Sequence, residues 1–179
     1  MTVKKYTDTF SRALCGFWWS FAVIMLTVLD QWTKSLAKTI LQGSESVSLI
    51  PSVLELTYLE NRGMAFGMFQ GKRLLFVFLC VVFFAALAFF YARIPKNRYY
   101  LPLLVTGAVL AAGALGNFID RVVLGYVVDF IYISLIDFPV FNVADIFVVC
   151  GGIFLVLLIG FYYQDEDFEF IRIRKRNAK

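Results

Sequence analysis

The chain has 179 residues, 60% of them hydrophobic, with a net charge of +4 and no histidine. A soluble domain rarely exceeds about half apolar residues, so the excess must face lipid, and the basic residues flank apolar segments rather than forming an aromatic–basic platform, which excludes nucleic acid as a partner. The missing histidine excludes Ser–His hydrolases, HExxH metalloproteases and most histidine-ligated metal centres, so no metal or cofactor is expected and any hydrolysis falls to carboxylates or lysine.

In chain order, residues 1–12 form a basic tail with Lys4, Lys5 and Arg12. The first apolar segment runs from Ala13 to Leu29 and continues as a helix through Lys38, giving a span over 13–38. Asp30-Gln31-Trp32-Thr33-Lys34 follows it where a cleavable signal sequence needs small residues, so this segment reads as retained. Residues 44–70 read as an outer-side β element in which Leu54, Leu56 and Tyr58 alternate with Glu55 and Thr57, the period of a half-buried strand. Asn61-Arg62-Gly63 reads as a turn, and Ala65-Phe66-Gly67-Met68-Phe69 as an apolar segment lying along the membrane surface. Further spans are expected over 74–92, 100–121 and 143–163, the last two separated by a loop over 122–140. In the third, Ala108, Ala112 and Gly116 at four-residue steps suit close helix packing in lipid. Cys15, Cys80 and Cys150 lie inside apolar stretches without CxxC spacing and read as buried small hydrophobes. The tail over 164–179 clusters Asp165, Glu166, Asp167 and Glu169 before turning basic, and reads as solvated. No repeat or second domain appears, so 1–179 is one polytopic unit.

Four spans put both termini on one side. Arg93, Lys96 and Arg98 share that side with the tails, which carry Arg172, Arg174, Lys175, Arg176 and Lys179 at the C-terminus. The positive-inside rule makes it the cytoplasm. The expected fold class is therefore integral membrane and mainly α: a four-transmembrane-helix bundle with a small periplasmic, outer-side β element.

Ionisable groups near a bilayer are costly and usually face a protein interior or a water-filled cavity. Here Asp30, Lys34, Asn61, Asn117, Asp120, Arg121, Asp129, Asn142 and Asp145 gather at the outer ends of the spans. Asp30 and Lys34 are spaced for a helical ion pair. Asp120 and Arg121 are adjacent, and each can offset the other's charge. Gly113, Asn117 and Arg121 share one helical face, which suggests a polar cavity wall. Asn142 and Asp145 have the spacing of a capping box at the start of the fourth helix. Asp129 has no such explanation, because it interrupts an apolar stretch where an unpaired carboxylate is expensive. Two acids from separate elements suit general acid–base catalysis, and close carboxylates share a proton. The spacing of Asp129 and Asp145 allows them to meet without requiring it.

Five blocks, in order, resemble the signature of bacterial lipoprotein signal peptidases (signal peptidase II). They are Asp30–Lys34, Asn61-Arg62-Gly63-Met64-Ala65-Phe66-Gly67, Gly113–Arg121, Gly125-Tyr126-Val127-Val128-Asp129-Phe130 and Phe141-Asn142-Val143-Ala144-Asp145. The resemblance covers residues 13–163; Met64 stands where many members carry alanine. It implies an intramembrane aspartic endopeptidase that cleaves prolipoproteins before a diacylglyceryl-modified cysteine, without metal, in the bacterial cytoplasmic (inner) membrane. It implies that Asp129 and Asp145 are catalytic. By the same resemblance Asp30, Lys34, Asn61, Gly63, Phe66, Asn117, Asp120, Arg121, Asn142 and Ala144 bind substrate or support the site. Diacylglyceryl-modified prolipoproteins, membrane lipid and globomycin-type cyclic peptides are the partners it implies.

Two other functions fit a small polytopic chain. A transporter or channel also places acids and amides in its helices, but it needs a polar path across both leaflets, and here the charges sit at one end without repeat halves. A non-enzymatic membrane scaffold would tolerate loss of both Asp129 and Asp145.

Overall fold

The computed structural model describes residues 6–63 and 73–171. The expected surface segment over 65–69, including Phe66, lies outside them. Among the described residues, four helices are long and apolar enough to cross a membrane. They are α1 (Arg12–Leu41), α2 (Arg73–Arg93), α3 (Leu101–Val123) and α4 (Val143–Leu157), the last continuing as a π turn through Tyr162. Three strands, β1 (Val47–Ile50), β2 (Leu54–Asn61) and β3 (Val127–Tyr132), form an antiparallel sheet in that order.

Hydropathy decides where each helix sits. The most apolar window of α2 has mean hydropathy 2.8 and only 6% of it is buried, so much of this helix is left to face lipid. The corresponding window of α3 has mean hydropathy 1.7 with 44% buried. Accordingly α3 is the central helix and packs against α1, α2 and α4. Helix α1 begins at Ser11, whose side chain accepts the Leu14 amide, and its buried stripe is Val23, Thr27, Asp30, Lys34, Ala37 and Leu41. Those spacings of three and four mark a single helical face. Phe17, Trp18, Leu74, Val156 and Phe161 remain exposed and form part of the lipid-facing surface. Cys15 and Cys80 are half-buried and Cys150 is exposed. The cysteines are thus not core residues as expected, because apolar context in a thin bundle more often means lipid than protein.

Small residues bring α3 against its neighbours. Ala108, Ala111 and Ala112 pack with Val23 in the middle of the bundle. Gly113 lies where an added Cβ would sit 2.5 Å from the Ala144 carbonyl oxygen of α4. It is a helix-packing contact and not part of the expected polar cavity wall.

The sheet is larger than expected. Strand β2 matches the predicted alternation region, but β3 was expected only as part of a loop over 122–140. Residues Val127–Phe130 are buried on both faces, so the strand carries no period-two signal. Gly125, at φ 85°, ends α3 in the left-handed region, and its amide donates to the Asp120 carbonyl at 3.2 Å, turning the chain into β3. Phe141 then pairs with Ile131, which lays the segment before α4 along the outer side of β3.

At the opposite end, Tyr99, Tyr100, Tyr163, Phe168 and Phe170 pack ring against ring. The expected solvated tail over 164–179 is corrected for its first part. Asp165–Ile171 forms a 3₁₀ helix in which Asp167 is fully buried, accepting from the Tyr99 hydroxyl at 2.7 Å and the Gln164 amide at 3.0 Å. The acidic run looks solvated in sequence, yet one of its carboxylates is the hydrogen-bond centre of an aromatic cluster.

The close α3–α4 approach predicts that Gly113→Ala lowers stability by about 1–3 kcal/mol, the usual range for overpacking. Gly152, where an added Cβ meets nothing within 4 Å, is the control. Melting temperatures in detergent should fall for Gly113→Ala and stay near the parent value for Gly152→Ala; equal values for the two would contradict the packing argument.

Candidate active site

The polar residues assemble in two layers at the sheet end of the bundle. The upper layer lines a cavity of about 620 Å³, whose wall includes Asn61, Gly63, Asn117, Arg121, Asp129 and Asp145. Asp129 comes from β3, Asp145 from the first turn of α4, Asn117 and Arg121 from the last turns of α3, and Asn61 from the end of β2. Leu59 pairs with Asp129 across the sheet, which puts Asn61, two residues on, on the same face and diagonal to Asp129.

Amides connect the two carboxylates. Asn142 donates through Nδ2 to Asp129 Oδ1 at 2.6 Å. Its Oδ1 accepts the Asp145 amide at 3.0 Å, and its own amide donates to Asp145 Oδ2 at 3.1 Å. The capping box expected from spacing is therefore formed, and the residue that closes it also faces the cavity. Asn117 donates through Nδ2 to Asp145 Oδ1 at 2.7 Å, and Asn61 donates through Nδ2 to Asp129 Oδ2 at 2.8 Å. Asn61 is itself held by the Gly63 amide, which donates to its Oδ1 at 3.0 Å. Among the described residues, neutral donors hold both acids and no cation pairs directly with either.

The lower layer is sealed from solvent. Lys34 Nζ lies 2.9 Å from Asp30 Oδ2, 3.2 Å from Asp120 Oδ2 and 2.9 Å from Asn117 Oδ1. An ammonium has three N–H donors, and all three are used. Asp30, Lys34 and Asp120 are each at most 3% exposed. The helical ion pair expected from the Asp30–Lys34 spacing forms, and Asp120 extends it to a buried three-way junction. Asp120 engages Lys34 rather than offsetting its neighbour Arg121. Arg121 instead donates to the Asn117 carbonyl at 3.1 Å and stacks over the Phe76 ring, its guanidinium carbon 4.9 Å from the centroid. Ala144, fully buried, contributes its amide to Asp30 Oδ1 at 2.8 Å.

Residues outside the sequence-derived set also take part. Gln31 places one amide nitrogen within reach of Asp120 Oδ1 at 2.9 Å, the Gly116 carbonyl at 3.1 Å and Asp30 Oδ2 at 3.3 Å. The cavity wall includes Tyr132 at the end of β3 and Asp137, Phe138 and Phe141 from the segment between β3 and α4. Gln31 sits one residue from Asp30 within a quoted motif, which was the available signal. Phe141 likewise opens the last of the five motifs, whereas Tyr132 and Phe138 had no signal, because the segment over 122–140 carries no helical or strand period.

Burial pushes the Asp129 carboxyl up to about 6, with the Asp145 carboxylate adding to the rise, while Asn61, Asn142 and Lys34 oppose it. Asp129 therefore favours the folded state fully below the ordinary value of 3.8, and that contribution is lost as pH rises through about 6. The Asn61 donor stabilises the ionised form. Asn61→Ala should accordingly move the Asp129 titration above about 6, followed by NMR of ¹³C-labelled aspartate carboxyls. A titration unmoved or displaced downward would refute the assigned contact. In the same layer, Arg121→Lys loses the planar fork over Phe76 and should reduce turnover of a cleavable substrate by about tenfold or more in folded protein; full turnover would remove Arg121 from the site.

Known proteins resemble this chain in sequence and fold. The model of the Signal peptidase (SPase) II family matches residues 22–161. A lipoprotein signal peptidase of Caldanaerobacter subterraneus is 46% identical over 140 residues, covering 78% of this chain and 93% of that protein. A lipoprotein signal peptidase of Streptococcus thermophilus is 38% identical over 138 residues, covering 77% and 89%. A bacterial membrane enzyme structure obtained by the in meso method at 1.9 Å resolution superposes with a TM-score of 0.70 at 34% identity, covering 81% of this chain and 94% of that one. A second such structure, at 2.3 Å resolution, gives a TM-score of 0.70 at 35% identity, covering 78% and 85%. The four-helix bundle, its small sheet and the matched residues together establish that this chain belongs to the signal peptidase II family.

Proposed function

We propose that this peptidase is an intramembrane aspartic endopeptidase that removes signal peptides from diacylglyceryl-modified prolipoproteins by cleaving before the lipidated cysteine. The observation that carries the aspartic reading is that Asp129 and Asp145, from different elements, face one cavity while sharing the Asn142 side chain. Lipoprotein signal peptidases are the relatives this chain matches over most of its length, which supports the substrate class.

In this reading one water lies between the carboxylates. The ionised aspartate removes a proton from it as its oxygen bonds to the scissile carbonyl carbon. The protonated aspartate gives its proton to the carbonyl oxygen, and a gem-diol forms. On collapse the C–N bond breaks. The aspartate that gained a proton delivers it to the leaving nitrogen, and a gem-diol hydroxyl returns its proton to the other aspartate. Products are a carboxylic acid and an amine, and one proton again belongs to the pair. The elevated Asp129 value favours keeping that proton in the site.

Basic residues flanking the ends opposite the sheet support a topology with both termini cytoplasmic and the cavity at the outer face of the bacterial cytoplasmic membrane. There the bilayer accommodates the diacylglyceryl chains while the peptide enters the cavity, and a globomycin-type cyclic peptide competes for the same space. The transport reading lacks support, since Val23, Ala108, Ala111 and Ala112 fill the middle of the bundle where a polar path is needed.

Asp145→Asn separates capping from catalysis. As a cap alone, the change costs about 1 kcal/mol of stability and leaves turnover largely intact. As a dyad member, it abolishes cleavage of a diacylglyceryl-modified prolipoprotein in folded protein, and Asp129→Asn does the same. Folded single variants turning over near the parental rate would overturn the aspartic assignment. For topology, a cysteine at exposed Ser48 on β1 should react with a membrane-impermeant thiol reagent in intact cells. Labelling only after the cells are opened would reverse the orientation.

A further inference from the structure

Asp30, Lys34, Asp120 and Gln31 do not line the cavity, yet their burial demands an explanation. Removing two carboxylates and an ammonium from water costs several kcal/mol per ion, and an apolar replacement is often no less stable. Three helical charges are therefore a poor way to hold a bundle together. Their contacts outside the ion cluster indicate what else they do. Asp30 Oδ1 accepts the backbone amide of Ala144 at 2.8 Å. Asp120 Oδ2 accepts the backbone amide of Val128 at 3.1 Å. Ala144 immediately precedes Asp145, and Val128 immediately precedes Asp129. Each buried carboxylate thus grips the chain one residue before one of the two cavity acids.

Lys34 joins the grips. Its ammonium lies 2.9 Å from Asp30 Oδ2 and 3.2 Å from Asp120 Oδ2. Its third N–H reaches Asn117 Oδ1, and Asn117 in turn donates to Asp145. Gln31 spans the same two carboxylates from the side, with two hydrogens for three acceptors. Gly116 permits the arrangement, since a Cβ there would overlap Asp30 Oδ2.

We propose that Asp30, Lys34 and Asp120 form a buried caliper, braced by Gln31, that fixes the separation of Asp129 and Asp145 through the backbone amides of Val128 and Ala144. They are positioning residues. The two acids lie on a strand and a helix joined by the loop over 133–140, where the Phe141–Ile131 pairing and the Asn142 bridge link them only to each other. The caliper ties both to one ammonium on α1. This inference rests on the reading of Asp129 and Asp145 as the catalytic pair.

The test uses full-length purified protein and a diacylglyceryl-modified prolipoprotein, comparing the parent with Asp30→Asn, Asp120→Asn and Asp129→Asn. An asparagine at 30 or 120 must present an NH₂ to a position where only donors now converge, so at least one contact, to the backbone amide, to Lys34 or to Gln31, is lost whichever way it turns. Because neither residue touches the cavity, KM should stay within about threefold while kcat falls on the order of 100-fold, the scale of an ångström of misplacement. The two limbs of the bell-shaped kcat/KM profile should also draw together, since acids held farther apart couple less strongly. Should the single variants fail to fold, the charge-free combination Asp30→Asn, Lys34→Met, Asp120→Asn restores a neutral core and should show the same kcat loss with KM retained. Folded variants with kcat within about threefold of the parent and unmoved limbs would overturn the caliper while Asp129→Asn remains inactive. An active Asp129→Asn would instead overturn the dyad on which it rests.

Discussion

An ammonium group shut inside an apolar bundle must find three acceptors or be neutralised. Lys34 finds them in Asp30, Asp120 and Asn117, one on its own helix and two on α3. That requirement fixes the rotation of α1 against α3, because the stripe that carries Asp30 and Lys34 also carries Val23, Thr27, Ala37 and Leu41. The remaining lone pairs of the two carboxylates must be satisfied too, and the amides of Ala144 and Val128 do so. The start of α4 and the course of β3 follow from those bonds. Losing one member leaves a buried charge without its partner, at a cost of roughly 3–5 kcal/mol.

The rest of the molecule keeps this polar end in place without competing with it. Helix α2 contributes apolar surface to lipid, while α3 gives small residues to every neighbour. The sheet caps the bundle where the helices end, and strand pairing is what carries Asn61 to Asp129. Aromatic rings and the buried Asp167 close the opposite end. The cavity acids therefore sit between a buried polar junction and a cavity whose wall includes Phe138, Phe141 and Tyr132. A site of this kind can exchange substrate on one side without disturbing the bonds that shape it on the other.

Much of this was legible in sequence. Long apolar runs marked the four helices, and the polar interruptions marked the end where the site lies. The Asn142–Asp145 spacing announced a cap that does form. Strand β3 was not legible, because Val127 to Phe130 are buried on both faces and a short apolar run has no distinctive period. The burial of Lys34 was hidden for a related reason. In a lipid-facing helix the outward side is as apolar as the core, so the buried stripe does not stand out as it would in water. Asp167 misled in the opposite direction, since three neighbouring acids suggest solvent whatever one of them contacts. The resemblance identified Asp30, Lys34 and Asp120 as site-supporting, but their two layers and their backbone contacts emerge only in three dimensions.

The central claim is that Asp129 and Asp145 operate as one unit around one water and one proton. A double-mutant cycle in purified, folded protein addresses it directly, with cleavage of a diacylglyceryl-modified prolipoprotein measured for Asp129→Asn, Asp145→Asn and the two combined. Groups that act as a unit are strongly non-additive, so the combined variant should be no slower than either single one beyond about a factor of three. Losses that multiply, as they do for independent sites, would contradict a shared mechanism for the pair.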